Sequence, residues 1–499
     1  MKGKLAMTQN TNSIDFGIFK EYIKKQKEFS KNVGIAVSFV TGNEVLFEEG
    51  IGYRDLSDKL PFTPETIFPL GSHTKSFTAT AIALLIDEGK FGWDEPIRNY
   101  IPKFQLKDPF VTEKCTIRDV LSHTTGFPHH QFMYMNSDWK YNQIFDRLQY
   151  LDLAFDFRTI HKYSNLNYMI ATGIIEEITG RTYFSFLNEK FLKPLGMTRT
   201  NFSTQESFKS DNYSLGYRKT EEDFEKETYP DIKYFAGGAG SINSCLKDMS
   251  KWIQFHINKG KVKNKQLITE KTLENLYVMQ RLDRNPFSTI IPDKNYVQNY
   301  GYALGWWSIN YRGMEMRQHI GTGQGIIFNG GFMPGNNLGY VLFSNTSGSD
   351  IPFYLNFDFV DQVLGLEQVY WGEKIREFEE KQTKVVEEQK RNFKDPQKRN
   401  TSPSHSIENF VGIYHHPGYG NLEFNIENNK LQCKYGEDSN IELNHYHYNT
   451  YTINIKTLGG FGTTKFVSFR DNFEGEISHL ECNAEPLLEP AIFKKIIKQ

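Results

Sequence analysis

The stretch "FPLGSHTKSFTATAIALLIDEG", residues 68 to 89, decides how the chain folds. Between Lys75 and Asp87 it carries no charge and almost only small or apolar side chains. That predicts a buried helix over 72–88, stopped by Gly89 at the position just past its end. Ser72 and Lys75 stand at the mouth of this helix, three positions apart and so on one face. Ser72 falls where backbone N–H groups are unpaired and the helix dipole is positive. That suits a nucleophile whose substrate must become an oxyanion. A lysine opening a buried helix is costly without a task. Burial disfavours its ammonium form, so it can serve as a general base with no carboxylate beside it. The bland alternative is an N-cap serine and a solvated lysine, because this spacing arises by chance in long chains.

Working outward, "NVGIAVSFVTGNEVLFEEGIGYRD" (32–55) reads as a β-hairpin around its "TGN" turn. Helical patterns broken by Gly and Pro follow for about two hundred residues, among them "TIRDVLSHTTG" and "NLNYMIATGIIEEITG". Strand patterns return in "GYALGWWSI", "MEMRQHIG", "GIIFNGGFMP" and "GYVLFSN", each bounded by Gly or Asn. Strands at both ends with helices between predict one α+β domain over 1–372, in which the early hairpin joins the late strands. Residues 373–404 are dense in Lys and Glu and predict a charged helix and linker. From 405 to 499 short strand patterns recur with turn signals, predicting a small all-β barrel or sandwich.

A serine–lysine hydrolase needs further parts. "KYSNLNY" supplies Tyr163, Ser164 and Asn165 in a loop just before a helix. A phenol there relays a proton between serine and leaving group, and an asparagine amide orients the lysine and the substrate carbonyl. "RQHIGTGQG" supplies His319, Gly321 and Thr322 on a strand. Glycine at 321 lets a substrate backbone lie close to the strand edge. The N–H groups of Ser72 and Thr322 form the candidate oxyanion hole.

In order and spacing these motifs resemble the SxxK, YxN and third-motif signatures of the serine β-lactamase and penicillin-binding superfamily, class C β-lactamase-like branch, which includes D-aminopeptidases and esterases. "TPETIFPLGSHTKSFTATAIALLIDEGKFGWDEPIRNYIPKF", "FLKPLGMTRTNF", "AGGAGSINSCLKDMSKWI" and "GYALGWW" extend the likeness over roughly residues 15 to 370. The last hundred residues, with "YHHPGYGNLEF" and "LNHYHYNTYTINI", resemble a lipocalin-like appended domain. The resemblance implies an antiparallel sheet flanked by helices, with a helical subdomain. It also implies an acyl-enzyme on Ser72, with Lys75 and Tyr163 as base and acid, Asn165 as orienter and His319 near the substrate. No cofactor or metal is implied. One departure stands out: lactamases carry lysine where this chain has His319. A mostly neutral imidazole offers less charge to a substrate carboxylate, so the expected substrates are small amides, short peptides or esters.

The bulk numbers fit that reading. The chain has 499 residues, 40 Phe and 27 Tyr, ample material for two or three packed domains. A net charge of -2 with short basic runs excludes a nucleic-acid binder. The longest uncharged apolar run, "FTATAIALLI", falls far short of the roughly 20 residues of a membrane span. The N-terminus shows no run of signal-peptide length, so a cytoplasmic location is expected, with a small-molecule or short-peptide substrate as partner. Cys115, Cys245, Cys433 and Cys482 match no zinc spacing, and a Cys433–Cys482 bridge stays open. His73 is expected to pack, and His123 to hold a loop. His129–His130 lack the acidic or cysteine partners of a metal site, while His445 and His447, facing one side of a strand, and His415–His416 leave a metal site open beside the plainer reading of a polar lining or hydrogen-bonded core histidines. Two rivals remain: a catalytically silent scaffold, and a ligand binder acting through the barrel. Homo-oligomer formation through the C-terminal domain is left open.

Overall fold

The computed structural model describes residues 14–135, 143–227, 237–282, 295–392, 396–436, 438–456 and 462–496. The chain forms two compact units, one from residues within 1–89, 184–233 and 238–392, the other from residues within 90–183, 234–237 and 393–499. The helical insert and the C-terminal strands therefore share a unit.

The first unit is built on a nine-stranded antiparallel sheet. Its strands are β1 (Gly34–Val40), β2 (Val45–Asp55), β3 (Leu60–Pro61), β4 (Arg281–Leu282), β5 (Val297–Tyr302), β6 (Trp307–Tyr311), β7 (Met314–Gly323), β8 (Ile326–Met333) and β9 (Leu338–Ser344). They lie in the order β4-β5-β6-β7-β8-β9-β1-β2-β3. The early hairpin thus joins the late strands through β1 and β9, with Val37 opposite Leu342, as expected of an α+β fold.

Strand β1 is buried at all seven positions because both faces of the sheet are covered. Ile35, Val37 and Phe39 share one core with Phe19 of α1 (Phe16–Phe29) and Phe359 of the later helix Ile351–Val363. On the opposite face Ser38 Oγ lies 2.8 Å from Ser250 Oγ, in helix Leu246–Ile257. The charged helix is present as Trp371–Asn392. Its first turn is tied down: the Trp371 amide donates to Asp358, and Tyr22 of α1 donates to the same carboxylate at 2.7 Å. Among the described residues no helix is long and apolar enough to cross a membrane.

In the second unit the insert contributes short helices and one long one, α2 (Asn165–Thr179), which ends at Gly180 with φ +64°. The C-terminal strands close into an eight-stranded barrel, resolving the choice between barrel and sandwich. Closure comes from the first and last strands, where Ile413 pairs with Ile496. The barrel interior is packed with side chains: Phe469 lies within 4.6–5.5 Å of the rings of Phe410, Tyr414 and Phe424. An eight-stranded barrel is just wide enough for such filling. All four cysteines are free and buried, Cys433 and Cys482 included.

Candidate active site

The site begins at Gly71. Its φ of +51° turns the chain from the short strand Phe68–Pro69 into a tight 3-10 turn, Gly71–His73. The turn runs directly into the helix Thr74–Asp87. Ser72 therefore sits in the turn that introduces this helix, two residues earlier than its first α-helical residue. Every residue from 66 to 85 is buried except Ser72, which is partly exposed. A run of apolar helix has been opened to solvent at one hydroxyl.

Lys75 is fully buried, one turn behind that hydroxyl. Its Nζ stands 3.0 Å from Ser72 Oγ and 2.8 Å from the Ala239 carbonyl. Burial holds its pKa well below the ordinary lysine value. A neutral amine has two hydrogens and one lone pair. The Ser72 hydroxyl and the Lys75 amine are thus within hydrogen-bond reach of each other. Gly305, at φ +77°, packs against this segment so closely that a Cβ there would stand 2.8 Å from the Lys75 carbonyl oxygen.

Strand β7 supplies the other wall. Strand β6 pairs with it only as far as Gln318. Beyond that point the 70–73 turn lies against the edge of β7. His73 Nδ1 donates to the His319 carbonyl at 2.9 Å, which pins the turn to the strand. A Cβ on Gly321 would overlap the Leu70 carbonyl and stand 3.0 Å from the Ser72 nitrogen. A Cβ on Gly71 would stand 3.1 Å from the Thr322 nitrogen. The Ser72 and Thr322 nitrogens thus both border the close contact between turn and strand that Gly71 and Gly321 permit. Glycine at 321 was expected to make room for substrate. Here it makes room first for the protein's own turn.

His319 is 1% exposed, and burial holds it well below the ordinary histidine pKa, helped by its proximity to Lys75. A neutral ring has one donor and one acceptor. Nδ1 lies 2.8 Å from the Ile320 carbonyl and must carry the hydrogen. Nε2 then accepts from the Tyr302 hydroxyl at 3.1 Å. The only ring hydrogen is thus directed at a backbone carbonyl. Sequence reasoning missed Tyr302 because it read "GYALGWWSI" as one strand pattern. The segment is two strands joined by a turn, closed by Ala303 N–H to the Trp306 carbonyl. His73 packs as expected, edge-on to Phe328 and Trp306 at 4.8 and 5.5 Å. Its buried ring is held down to a pKa of about 4.

Tyr163 and Asn165 lie in the second unit, on either side of the residue that caps α2. Both are partly exposed and Ser164 between them is buried. Ser164 is held twice: its amide donates to His123 Nδ1 at 3.2 Å and its hydroxyl to the Pro128 carbonyl at 2.7 Å. The His123 ring also packs on Tyr163 at 4.5 Å. His123 thus holds this loop, as its place in "SHTTGF" led us to expect. His445 Nε2 bonds the Tyr448 carbonyl, and His447 Nδ1 accepts from the Lys398 amide. Among the described residues no group of three or more His, Cys, Asp or Glu is placed to hold a metal ion.

A beta-lactamase family model matches residues 19–364, and one described as a domain of unknown function, DUF3471, matches residues 396–495. An unguisins hydrolase of Aspergillus violaceofuscus is 24% identical over 476 residues, 89% of this chain and 83% of its own. The octameric penicillin-binding protein homologue from Pyrococcus abyssi superposes with a TM-score of 0.61 at 20% identity, covering 96% of this chain and all of that one. EstCE1, a hydrolase with promiscuous acyltransferase activity, gives a TM-score of 0.59 at 18% identity, over 71% of this chain and 99% of its own.

Proposed function

Because the chain belongs to the beta-lactamase family, we propose that it is a serine hydrolase that forms an acyl-enzyme on Ser72 and releases it to water. One observation carries the reading: the one partly exposed residue in an otherwise buried run of twenty, 66 to 85, is a serine with a desolvated lysine amine 3.0 Å away. The amine of Lys75 takes the hydroxyl proton as Ser72 Oγ attacks the substrate carbonyl carbon. The resulting oxyanion is received by the N–H groups of Ser72 and Thr322. Collapse breaks the bond to the leaving group, which departs with the proton held by Lys75. Water then attacks the ester on Ser72 by the same steps in reverse roles. Tyr163 relays the proton and Asn165 orients the substrate carbonyl; both assignments rest on motif order.

The substrate class follows from His319. It stands where the lactamases of this family carry lysine, and burial keeps it neutral. A neutral ring whose hydrogen is committed to a backbone carbonyl gives a substrate carboxylate no fixed counter-charge. That supports small uncharged amides, short peptides or esters over carboxylated β-lactams. The role of His319 is then to brace the strand edge through Tyr302 rather than to touch substrate. The hydrolase names among its relatives support hydrolysis as the reaction class.

A fluorophosphonate probe tests the proposal. It should label wild type, fail to label Ser72→Ala, and label Lys75→Ala only weakly. Equal labelling of wild type and Ser72→Ala overturns it.

A further inference from the structure

The second unit joins the barrel to the loop that carries Tyr163 and Asn165. Between them runs a strap, residues 128 to 134, that alternates its contacts. Two of its residues face the motif. The Pro128 carbonyl accepts from Ser164 Oγ at 2.7 Å. The Tyr134 hydroxyl is buried beside the Asn165 and Gln131 side-chain amides, where it closes no hydrogen bond of ordinary geometry. The two residues between them face the barrel. His130 N–H donates to Glu485 Oε2 at 2.8 Å, a contact spanning 355 residues of sequence. The Phe132 carbonyl accepts from Tyr435 OH, and its ring lies 4.8 Å from the Tyr435 ring.

The His130 ring completes the grip. Its pKa is held down to about 4 by burial, so it is neutral. Nε2 lies 2.9 Å from the Asp152 carbonyl and carries the hydrogen; Nδ1 then accepts from Tyr419 OH at 2.8 Å. The backbone at His130 is left-handed, φ +46°, a conformation an L-residue holds only when its surroundings impose it. Glu485 and Tyr419, both from the barrel, supply that restraint. The neighbouring barrel loop comes so close that a Cβ on Gly418 would stand 2.7 Å from Leu151 Cδ2. Glu485 is 6% exposed, and Lys465, also buried in the barrel, lies near enough to feel it.

We propose that the C-terminal barrel acts as a positioning element for the catalytic loop: Glu485 and Tyr419 fix the strap at His130, and the strap holds Ser164, the residue before Asn165, through the Pro128 carbonyl, with Tyr134 packed beside Asn165. This rests on the serine hydrolase reading, since it presumes that Asn165 orients substrate. It gives the barrel a task that its packed interior leaves open. Glu485, Tyr419 and Tyr134 are positioning residues that touch no substrate.

The test uses the full chain and a nitrophenyl ester, with kcat and KM measured separately. Glu485→Ala removes the acceptor and should lower kcat by about 10- to 100-fold, the effect of a sub-ångström to 1 Å misplacement of a reacting group. Glu485→Gln keeps an oxygen for the His130 N–H and should recover most of that loss. In an Asn165→Ala background Glu485→Ala should cost little more, because both act through one group. Tyr419→Phe, a milder change, should show the same split if Glu485→Ala fails to fold. Unchanged kcat in both variants, or full additivity with Asn165→Ala, overturns the clamp. So does a lowered melting temperature with unaltered kinetics. These results leave the serine reading intact if Ser72→Ala has lost its labelling; full labelling of Ser72→Ala removes the reading beneath it.

Discussion

Replacing Gly321 by alanine puts a methyl group where the strand meets the serine turn. The added carbon would overlap the Leu70 carbonyl oxygen and stand 2.9 Å from its carbon and 3.0 Å from the Ser72 nitrogen. Atoms out of bonding contact rest at about 3.5 Å, so relieving the overlap with the carbonyl oxygen requires strand and turn to part by more than about 1 Å. One of the atoms that move, the Ser72 nitrogen, belongs to the proposed oxyanion hole. A reacting geometry 1 Å out of place costs about 10²-fold, and loss of one oxyanion donor costs about 10²–10³-fold, or roughly 2.7–4 kcal/mol. We therefore expect kcat/KM for a nitrophenyl ester to fall by about 10²–10³. The overpacking itself should cost only about 1–3 kcal/mol of stability, so the protein stays folded. Gly323→Ala is the control: its Cβ would meet only the flexible Ile326 side chain, at 3.0 Å. Activity of Gly321→Ala within about threefold of wild type, at unchanged stability, refutes the assignment of this strand edge to the reaction.

Two further outcomes follow from buried charges. If Lys75 is the base, activity rises with pH as its ammonium deprotonates and levels off well below the ordinary lysine range, because burial lowers its pKa; a flat kcat/KM profile between mildly acidic and alkaline pH counts against that role. Asp358 is the opposite case: burial raises its pKa from 3.8 to about 7, only partly offset by donors from Tyr22 and the Trp371 amide. Its folded pKa exceeds its unfolded one, so its stabilising contribution is full below about pH 4 and is lost as pH rises through 7. Asp358→Asn should gain melting temperature relative to wild type across that window, by an amount on the order of 4 kcal/mol at most. Parallel melting curves of the two proteins from pH 4 to 8 would contradict this.

The part of the site that was legible in the sequence is the part made by local pattern. An uncharged run from 76 to 86 can only be a buried helix, and a serine and lysine at its mouth must then share a face. The 3-10 turn at Gly71–His73 was not legible, because strand β7, some 250 residues later, is what the turn packs against. The same holds for His319. Its residue type gave a neutral donor, but which carbonyl takes the hydrogen depends on Tyr302, placed by the turn at Ala303–Trp306. The barrel could be read from its turn spacing, yet its closure depends on one pairing between the first and last strands.

The two units raise a question of division of labour. The proposed nucleophile and base, Ser72 and Lys75, lie in the first, in a turn and a helix so largely buried that little in them can move cheaply. Tyr163 and Asn165 lie in the second, at the partly exposed start of a helix. A loop of that kind has fewer packing constraints of its own and must borrow them. His123 lends some locally, through Ser164 and the face of Tyr163. The strap from Pro128 to Tyr134 lends the rest, and its outer face is held by barrel side chains more than 280 residues away in sequence. Without those contacts the left-handed His130 would keep only its bond to the Asp152 carbonyl and the turn to Met133, and relaxation there would run to Ser164 through Pro128. On the proposal above, the appended barrel with its packed interior serves as scaffolding for the loop that carries Tyr163 and Asn165.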